Sequence, residues 1–204
     1  NCEFNNITTK SKGSYIAPIS RHRGQNFKNV KISHNTSSGA DYVGGLIAYS
    51  YTNPTNDITA EYSTITGTGR YAGGIMGQGD ARDGTNCFRF KAYHMDVTGK
   101  NDVGGISGYG GAAYSEIYDS TITSTGGGEY VGGLAGRARF YNDYGNIVQN
   151  VTINANANYV GGLFGWARRV DNSVVQNCII NQTNTGKQRV GGAFGYIDSG
   201  YQHL

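Results

Sequence analysis

Two acidic side chains spaced for joint chemistry are Asp80 and Asp83, in the segment GQGDARDG. Carboxylates this close together could ligate calcium, which prefers oxygen ligands, or act as acid and base in glycoside hydrolysis. The segment is not repeated, however, and a pair of acidic residues in one Gly-rich loop is more typical of a solvated turn. We therefore keep Asp80 and Asp83 as a calcium candidate and predict no catalytic residue.

Other signatures of catalysis do not occur in the sequence. The histidines His22, His34, His94 and His203 are well separated, so there is no HExxH zinc helix. There is no GxSxG nucleophile elbow, and the Gly-rich phrases lack the lysine of a phosphate-binding loop. The sequence therefore predicts a protein that is not an enzyme and that needs no cofactor.

The chain is organised around a repeated phrase of an aromatic residue, a small apolar residue, Gly-Gly, and Leu or Ile, as in YVGGL from Tyr42. Its clear copies contain the glycine pairs Gly44 and Gly45, Gly73 and Gly74, Gly104 and Gly105, Gly132 and Gly133, Gly161 and Gly162, and Gly191 and Gly192. Successive copies lie 28 to 31 residues apart, a period typical of repeat architectures. We predict one repeat array over residues 1–204, with a degenerate first repeat at 1–28 and clear repeats at 29–204.

Each repeat also contains a short run of alternating apolar and polar residues, such as STIT at 63–66 and NVTI at 150–153. Alternation with β-branched residues indicates a strand with one buried face, and the Gly- or Asn-rich segments that follow indicate turns. We predict an all-β fold: a parallel β-solenoid, or β-helix, of about seven repeats of 28–31 residues with one turn per repeat. A two-stranded repeat in a β-sandwich or prism stays open as an alternative.

The Gly-Gly pair has a structural interpretation. Val43 and Leu46 flank one pair and lie three residues apart, so a flat strand would point them to opposite faces. A bend at the glycines would bring both side chains inward, and the absent side chains would also allow another backbone to approach closely. We expect these glycines to be structural.

Composition limits the classes of protein. Hydrophobic residues make up 37% of the chain and Gly accounts for 33 of 204 residues, which favours a thin interior shared between stacked layers. The net charge is only +3 and the basic residues are scattered, so we predict no nucleic-acid partner. The sequence has no apolar run of roughly 18 residues, so we predict no membrane insertion in this segment. Because it begins without Met or a signal peptide, we expect a fragment of a longer chain.

In a solenoid, equivalent residues of successive repeats stack into columns. One column, five residues after the first Gly, contains Tyr49, Tyr109, Arg137, Trp166 and Tyr196, with His22 and Gln78 at the equivalent positions. A second, two residues before that Gly, contains Tyr15, Tyr42, Tyr71, Asp102, Tyr130, Tyr159 and Arg189. Stacked rings would stabilise the sheets, and Arg137 between two rings could add a cation–π contact. The alternative is a receptor face, for example for glycans, in which exposed rings stack on sugars.

Cys2, Cys87 and Cys178 lie about three repeats apart. Three turns of a solenoid span about 14 Å, whereas the Cα atoms of a disulfide lie within about 7 Å. We therefore predict no disulfide among these cysteines.

Four sequons, at Asn6, Asn35, Asn150 and Asn181, are possible N-glycosylation sites. They matter only if the protein is secreted from a eukaryotic cell.

The phrases YVGGLIA, YAGGIMG, DVGGISG, YVGGLAG, YVGGLFG and RVGGAFG resemble the GLUG motif, over about residues 29–196. The pattern is lost at Ala17 and Pro18 in the degenerate first copy. GLUG-type repeats are found in large extracellular and surface proteins, including adhesin-like proteins and non-catalytic regions of IgA1-specific metallopeptidases. The resemblance implies a non-catalytic, extracellular structural or adhesive domain, such as a scaffold, stalk or filament component of a cell-surface protein.

Two other functions stay open. One is a carbohydrate-binding or carbohydrate-active β-helix, such as a tailspike or polysaccharide lyase. The other is an auxiliary repeat region of a secreted metallopeptidase. As partners we expect other domains or copies of the same protein, in end-to-end or lateral assembly, and glycans or a surface receptor.

Overall fold

The protein is a parallel β-solenoid. The computed structural model describes residues 1–20, 27–51, 55–80, 87–138, 143–186 and 188–198, and within these ranges every regular element is a β-strand. Up to four short strands in each turn contribute to four long sheets, which we call sheets A, B, C and D in the order in which the chain enters them. No helix in the described ranges is long and apolar enough to cross a membrane. The predicted all-β solenoid is confirmed.

The first turn is partial. It contains β1 (Cys2–Asn5) in sheet A and β2 (Thr8–Lys10) in sheet B, and isolated bridges at Ile16 and Ser20 continue it beside sheets C and D.

Six complete turns follow. The second contains β3 (Phe27–Ser33), β4 (Thr36–Gly39), β5 (Val43–Gly44) and β6 (Ile47–Tyr51). The third contains β7 (Thr55–Glu61), β8 (Thr64–Gly67), β9 (Ala72–Gly73) and β10 (Met76–Asp80). The fourth contains β11 (Cys87–Tyr93), β12 (Asp96–Gly99), β13 (Val103–Gly104) and β14 (Ser107–Tyr109). The fifth contains β15 (Glu116–Tyr118), β16 (Thr121–Ser124), β17 (Gly128–Gly132) and β18 (Ala135–Ala138), followed by β19 (Asp143–Tyr144). The sixth contains β20 (Ile147–Gln149), β21 (Thr152–Ala155), β22 (Ala157–Gly161) and β23 (Phe164–Ala167), followed by β24 (Val170–Asp171). The seventh contains β25 (Val174–Gln176), β26 (Ile179–Gln182), β27 (Arg189–Gly191) and β28 (Phe194–Ile197).

Each sequence repeat forms one turn of the solenoid, as the register of the sheets shows. Gly132 pairs with Gly161, and Gly161 pairs with Gly191, so equivalent residues of successive repeats are direct neighbours in parallel ladders. Neighbouring strands in a sheet lie about 4.8 Å apart, which is therefore the rise per turn. Among the described strands, six complete turns and one partial turn account for the predicted repeats, and the alternative of a two-stranded repeat is wrong.

The core consists of inward-pointing side chains that stack in columns from turn to turn. Each sheet contributes a single layer of such side chains. The fully buried columns include Ile65, Val97, Ile122 and Ile153 in sheet B, Val43, Val103, Val131 and Val160 in sheet C, and Leu46, Ile75, Ile106, Leu134 and Leu163 at the corner between sheets C and D. A single turn could not bury these side chains by itself, because each is covered mainly by the turns above and below it.

The corner between sheets A and B is built from a left-handed residue followed by a buried one. Tyr62 has a φ of 48°, and Ser63, which follows it, is 1% exposed. The Ser63 hydroxyl donates to the carbonyl of Glu61 (2.8 Å) and accepts from the backbone N–H of Asn35 in the preceding turn (3.1 Å). Left-handed residues recur at this corner in every turn: Asn6, His34, Tyr62, His94, Asp119, Asn150 and Asn177.

The Gly-Gly pair makes the corner between sheets C and D. Val131 and Leu134 on either side of one pair are both completely buried, so the predicted bend is confirmed. A Cβ atom on Gly132 would lie 2.6 Å from the carbonyl oxygen of Leu163 and 2.8 Å from Cα of Phe164, both in the next turn. Backbone therefore packs directly on backbone here, and no larger residue fits.

Gly132→Ala is expected to destabilise the fold by about 1–3 kcal/mol or more, because the backbone atoms around its Cβ atom cannot rotate away. The measurement is urea unfolding of the full chain. Gly126 in the same turn is the matched control, since a Cβ atom there would meet nothing within 4 Å. Equal losses for G132A and G126A would show that close backbone approach is not what requires glycine.

Candidate functional site

The two predicted columns lie side by side along the corner between sheets C and D. In sheet D, Tyr49, Gln78, Tyr109, Arg137, Trp166 and Tyr196 pair in register from turn to turn. We call the following residues the aromatic ridge: Tyr15, Tyr42, Tyr49, Tyr71, Tyr109, Tyr130, Arg137, Tyr159, Trp166, Arg189 and Tyr196. His22, predicted in the same column, lies outside the described residues.

Rings of the ridge contact one another both along and across the columns. Along one column, Tyr15 and Tyr42 stack with centroids 4.4 Å apart and planes 5° apart. Across the columns, Tyr71 and Tyr109 lie 5.2 Å apart with a 56° tilt. Because the two columns cover each other, most of the rings are half-buried and Tyr109 is only 7% exposed. The alternative of a receptor face assumed exposed rings, whereas the ridge presents ring edges and partial faces.

A third glycine, present in five of the six clear phrases, brings the columns together. A Cβ atom on Gly136 would lie 2.6 Å from the backbone nitrogen of Val103 and 2.8 Å from the carbonyl oxygen of Tyr130. Sheets C and D therefore touch through backbone, and the side chains that flank this contact converge on one line. Tyr42 and Tyr49 illustrate the result, with their rings 5.8 Å apart and almost perpendicular. The sequence signal for this convergence was the glycine that lies three residues after the Gly-Gly pair in five of the six clear phrases.

Arg137 replaces an aromatic residue in the ridge. Its guanidinium carbon lies 5.6 Å from the ring centroid of Tyr109, 5.1 Å from that of Tyr130 and 5.3 Å from that of Trp166. The predicted cation–π contact is confirmed and extends to a third ring. The Nε atom of Arg137 is buried and makes no hydrogen bond to the described residues. Its hydrogen-bonding capacity is therefore not satisfied by the ridge itself.

Asp102 replaces a tyrosine in the ridge one turn before Arg137. Its residue exposure is 5%, and its carboxyl group accepts no hydrogen bond from the side chains and backbone that the structure describes. The pKa of Asp102 is raised to about 7, chiefly by burial and to a smaller extent by the charge of Glu129, while the charges of Arg137 and Arg70 oppose the increase. The group is thus a buried, unpaired acid beside an incompletely paired guanidinium.

A polar pocket of about 380 Å³ opens at this break in the ridge. It is lined by Arg70, Tyr71, Asn101, Asp102, Glu129 and Arg137, which come from three successive turns. The sequence placed Asp102 in the tyrosine column, but the pocket was not predicted. The available signal was the appearance of an acid and a base, in neighbouring columns and consecutive repeats, where aromatic residues recur elsewhere.

The calcium candidate lies mostly outside the described part of the chain. Asp83 is not described, and Asp80 ends strand β10 without a described side chain. Within the described residues, no group of three or more His, Cys, Asp or Glu side chains could hold a metal ion. A calcium site at Asp80 and Asp83 stays a prediction.

The sequons do not share one environment. Asn35 is 1% exposed, and its side-chain oxygen accepts a hydrogen bond from the backbone N–H of Ile7 (2.8 Å). A glycan on Asn35 would require this buried side chain to leave its position, and glycosylation of the four sequons stays a prediction. Asn6, Asn150 and Asn181 are exposed.

The cysteines are distributed along the solenoid as the repeat predicts. Cys2 lies in the first turn and Cys178 in the last, and neither forms a disulfide. Cys87 begins strand β11 in the fourth turn, and its side chain lies outside the described part.

The fold is similar to that of a crystal structure described as a "putative immunoglobulin A1 protease from Bacteroides ovatus", with a TM-score of 0.50 and 16% sequence identity. The similarity covers 97% of this chain and 67% of that chain, and at this identity it shows the fold alone. No protein-family model and no curated protein matches the sequence. Membership of the GLUG repeats stays a prediction.

Asp102→Asn is expected to remove the cost of ionising a buried acid. The pKa of Asp102 rises from 3.8 to about 7 on folding, so the wild-type free energy of unfolding should fall as pH rises through this window and level off above it. This difference corresponds to at most about 4 kcal/mol. We expect D102N to have a higher Tm than the wild type at pH 8 and a similar Tm below pH 4.

The matched control is D96N, because Asp96 is an exposed acid in the same turn. Its Tm should stay close to that of the wild type at both pH values. If the difference in Tm between D102N and the wild type were the same at pH 8 and below pH 4, Asp102 would not be a buried titrating group.

Proposed function

We propose that this chain is a non-catalytic structural and adhesive repeat domain of a secreted or cell-surface protein, and that the aromatic ridge is its adhesive surface. The observation that carries the proposal is the ridge itself, which runs along one corner from Tyr15 in the first turn to Tyr196 in the seventh. The solenoid supplies the scaffold, because its register places one ridge position from each column about every 4.8 Å.

The chemistry of the ridge supports binding. Tyr, Trp and Arg are the residues that most often dominate binding energy at protein surfaces, since each combines a large apolar area with a polar group. The partial burial of the rings restricts their rotamers before a ligand arrives, which lowers the entropic cost of binding. Repetition along the ridge favours an extended or repetitive ligand, for which several weak contacts add up.

A second candidate function is carbohydrate-active chemistry, which one observation favours. Asp102, with its raised pKa, and Glu129 line the same pocket, and glycoside hydrolysis uses one protonated and one ionised carboxyl group. Release of reducing sugar from oligosaccharides by the wild type, and its loss in both D102N and E129Q, would establish that function instead.

The structural likeness to the Bacteroides ovatus protein supports a further version of the proposal. That structure is described as a "putative immunoglobulin A1 protease", and in this version the chain is an auxiliary, non-catalytic repeat region of a larger secreted enzyme. The adhesive role of the ridge is the same in either setting.

Trp166→Ala tests the adhesive proposal, because it removes one ring of the ridge and one of the rings around Arg137. We expect at least about tenfold weaker binding of the full chain to a glycan array, as for an aromatic residue that dominates an interface. Tyr62→Ala is the matched control, since Tyr62 is a 52% exposed ring on the opposite corner, between sheets A and B. The proposal fails if the wild type binds no glycan, or if W166A and Y62A bind equally well.

In the last described turn, a position that is buried in earlier turns is exposed among the described residues. Val190 is 48% exposed, although Val160 at the same position of the preceding turn is fully buried. In this turn and the preceding one, Leu163, Val175, Ile180 and Phe194 line part of a hollow of about 430 Å³, together with polar residues such as Asp171 and Gln176. Parallel ladders that end here could be continued by the first turn of another copy, with the same strand direction. We propose head-to-tail stacking of copies at this end, as in a filament or stalk.

Val190→Lys is expected to weaken this stacking, because it places a charge at a position of the core column that a further turn would bury, as Val160 is buried in the preceding turn. Val174→Lys is the control, since Val174 belongs to the same turn and is 45% exposed. Sedimentation velocity over a range of concentrations should show larger species for the wild type and V174K than for V190K. A wild type that stays monomeric at every concentration would contradict the stacking.

A further inference from the structure

We propose that the pocket at the break in the ridge, formed by Asp102, Glu129, Arg70, Arg137, Asn101 and Tyr71, binds one uncharged sugar unit of a glycan. The inference rests on the adhesive function proposed above and assigns it a ligand class and a place. It depends on the geometry of the pocket, on its unpaired polar groups and on its balance of charge.

The first argument is that the pocket contains polar groups without partners. Asp102 is 95% buried by residue exposure and accepts no hydrogen bond within the described part of the chain. The Nε atom of Arg137 is also buried and donates no hydrogen bond to the described residues. Leaving such groups unpaired in a folded protein is costly, so a ligand that supplies both a donor and an acceptor gains binding energy by pairing them.

The second argument is the balance of charge. The lining contains two acids, Asp102 and Glu129, and two arginines, Arg70 and Arg137, so their formal charges cancel. An anionic ligand would meet the two carboxyl groups, and a cation would meet the two guanidinium groups. A hydroxyl group both donates and accepts, so neighbouring hydroxyls of a neutral sugar can bond to an acid and an arginine at once.

The third argument is the aromatic wall. Tyr71 lines the pocket directly, and Tyr130 follows Glu129 in strand β17 with its ring 5.1 Å from the Arg137 guanidinium. A sugar ring has an apolar face of C–H groups as well as a polar edge, and an aromatic ring offers a matching apolar surface. A pocket with a few convergent polar groups beside rings is the usual form of a small-ligand site.

The volume of the pocket limits how many sugar units it can hold. A volume of about 380 Å³ lies near the lower end of the range of small-molecule sites and suits a single sugar ring. The remaining units of a glycan would lie along the ridge, over the half-buried ring of Trp166 beside Arg137.

The experiment compares binding of the full wild-type chain to two kinds of probe. The neutral probes are oligosaccharides of glucose, mannose, galactose and N-acetylglucosamine, and the acidic probes are polygalacturonate and heparin. Binding is measured by glycan array and then by calorimetry with the best neutral oligosaccharide. We expect the neutral probes to be preferred.

Three variants locate the site. D102Y introduces the tyrosine that most other turns have at the equivalent position, so the variant is expected to fold. Its ring is expected to fill the pocket and to abolish binding of the neutral oligosaccharide. E129Q changes an exposed rim residue and is expected to weaken binding at least fivefold without unfolding the chain. D96N, in the same turn as Asp102, is the control and should bind as the wild type does.

The outcomes separate this inference from the adhesive proposal. If D102Y and E129Q bind the neutral oligosaccharide as well as the wild type, while W166A does not, the pocket is not the site although the ridge is adhesive. Preference for polygalacturonate or heparin would overturn the assignment to uncharged sugars. Hydrolysis of the neutral probe by the wild type would replace binding by catalysis. Absence of binding to every probe would overturn both proposals.

Discussion

Backbone-to-backbone contact between sheets C and D is the constraint on which the other features depend. At this corner the chain bends at two glycines. In each pair that has a described turn after it, the first glycine packs against backbone atoms of its own turn and of the next one, and the second packs against backbone of the next turn. Because no Cβ atom fits, the position of the glycines fixes the register of every ladder to one repeat per turn. The inward columns of Val and Leu and the outward ridge are then both determined by residues adjacent to the same corner.

The thin core follows from the same constraint. With two sheets in backbone contact at one corner, the interior holds little more than one apolar side chain per strand in each turn. Stability therefore comes from stacking of turns, as in other repeat proteins, and a local defect is transmitted to its neighbours along the column. The buried serines at the other corner contribute differently. Ser63, for example, accepts a hydrogen bond from the backbone N–H of Asn35 and so links its own turn to the preceding one. This bond satisfies a backbone group that the bend would otherwise leave unpaired.

Much of this architecture could be predicted from the repeated phrase, because a period in sequence becomes a column in space. The strands, the parallel register, the bend between Val131 and Leu134 and the cation–π position of Arg137 all follow from that step. What could not be predicted depends on contacts between different columns. To predict that Tyr42 and Tyr49 converge, one would have to know that sheets C and D touch. To predict that Asn35 is buried, one would have to know that its side-chain amide hydrogen-bonds to the backbone of Phe4 and Ile7 in the preceding turn. The pocket at Asp102 combines both kinds of information, because its lining comes from three turns.

Asp102 and Arg137 are best understood as a pair of exceptions to the ridge. A tyrosine at position 102 would stack between Tyr71 and Tyr130, and it would not carry the cost of an acid whose pKa burial raises to about 7. The arginine in the next turn only partly offsets that cost, since none of the ion pairs among the described residues joins it to Asp102. Local choices that oppose the stability of a regular fold are concentrated at functional sites, where binding requires groups that the fold alone leaves unpaired. Most other turns have a tyrosine at this position, which is the residue that stabilises the ridge. The fourth turn has Asp102 instead, at a cost in stability. This difference is a physical reason to place the ligand at Asp102 rather than elsewhere along the ridge.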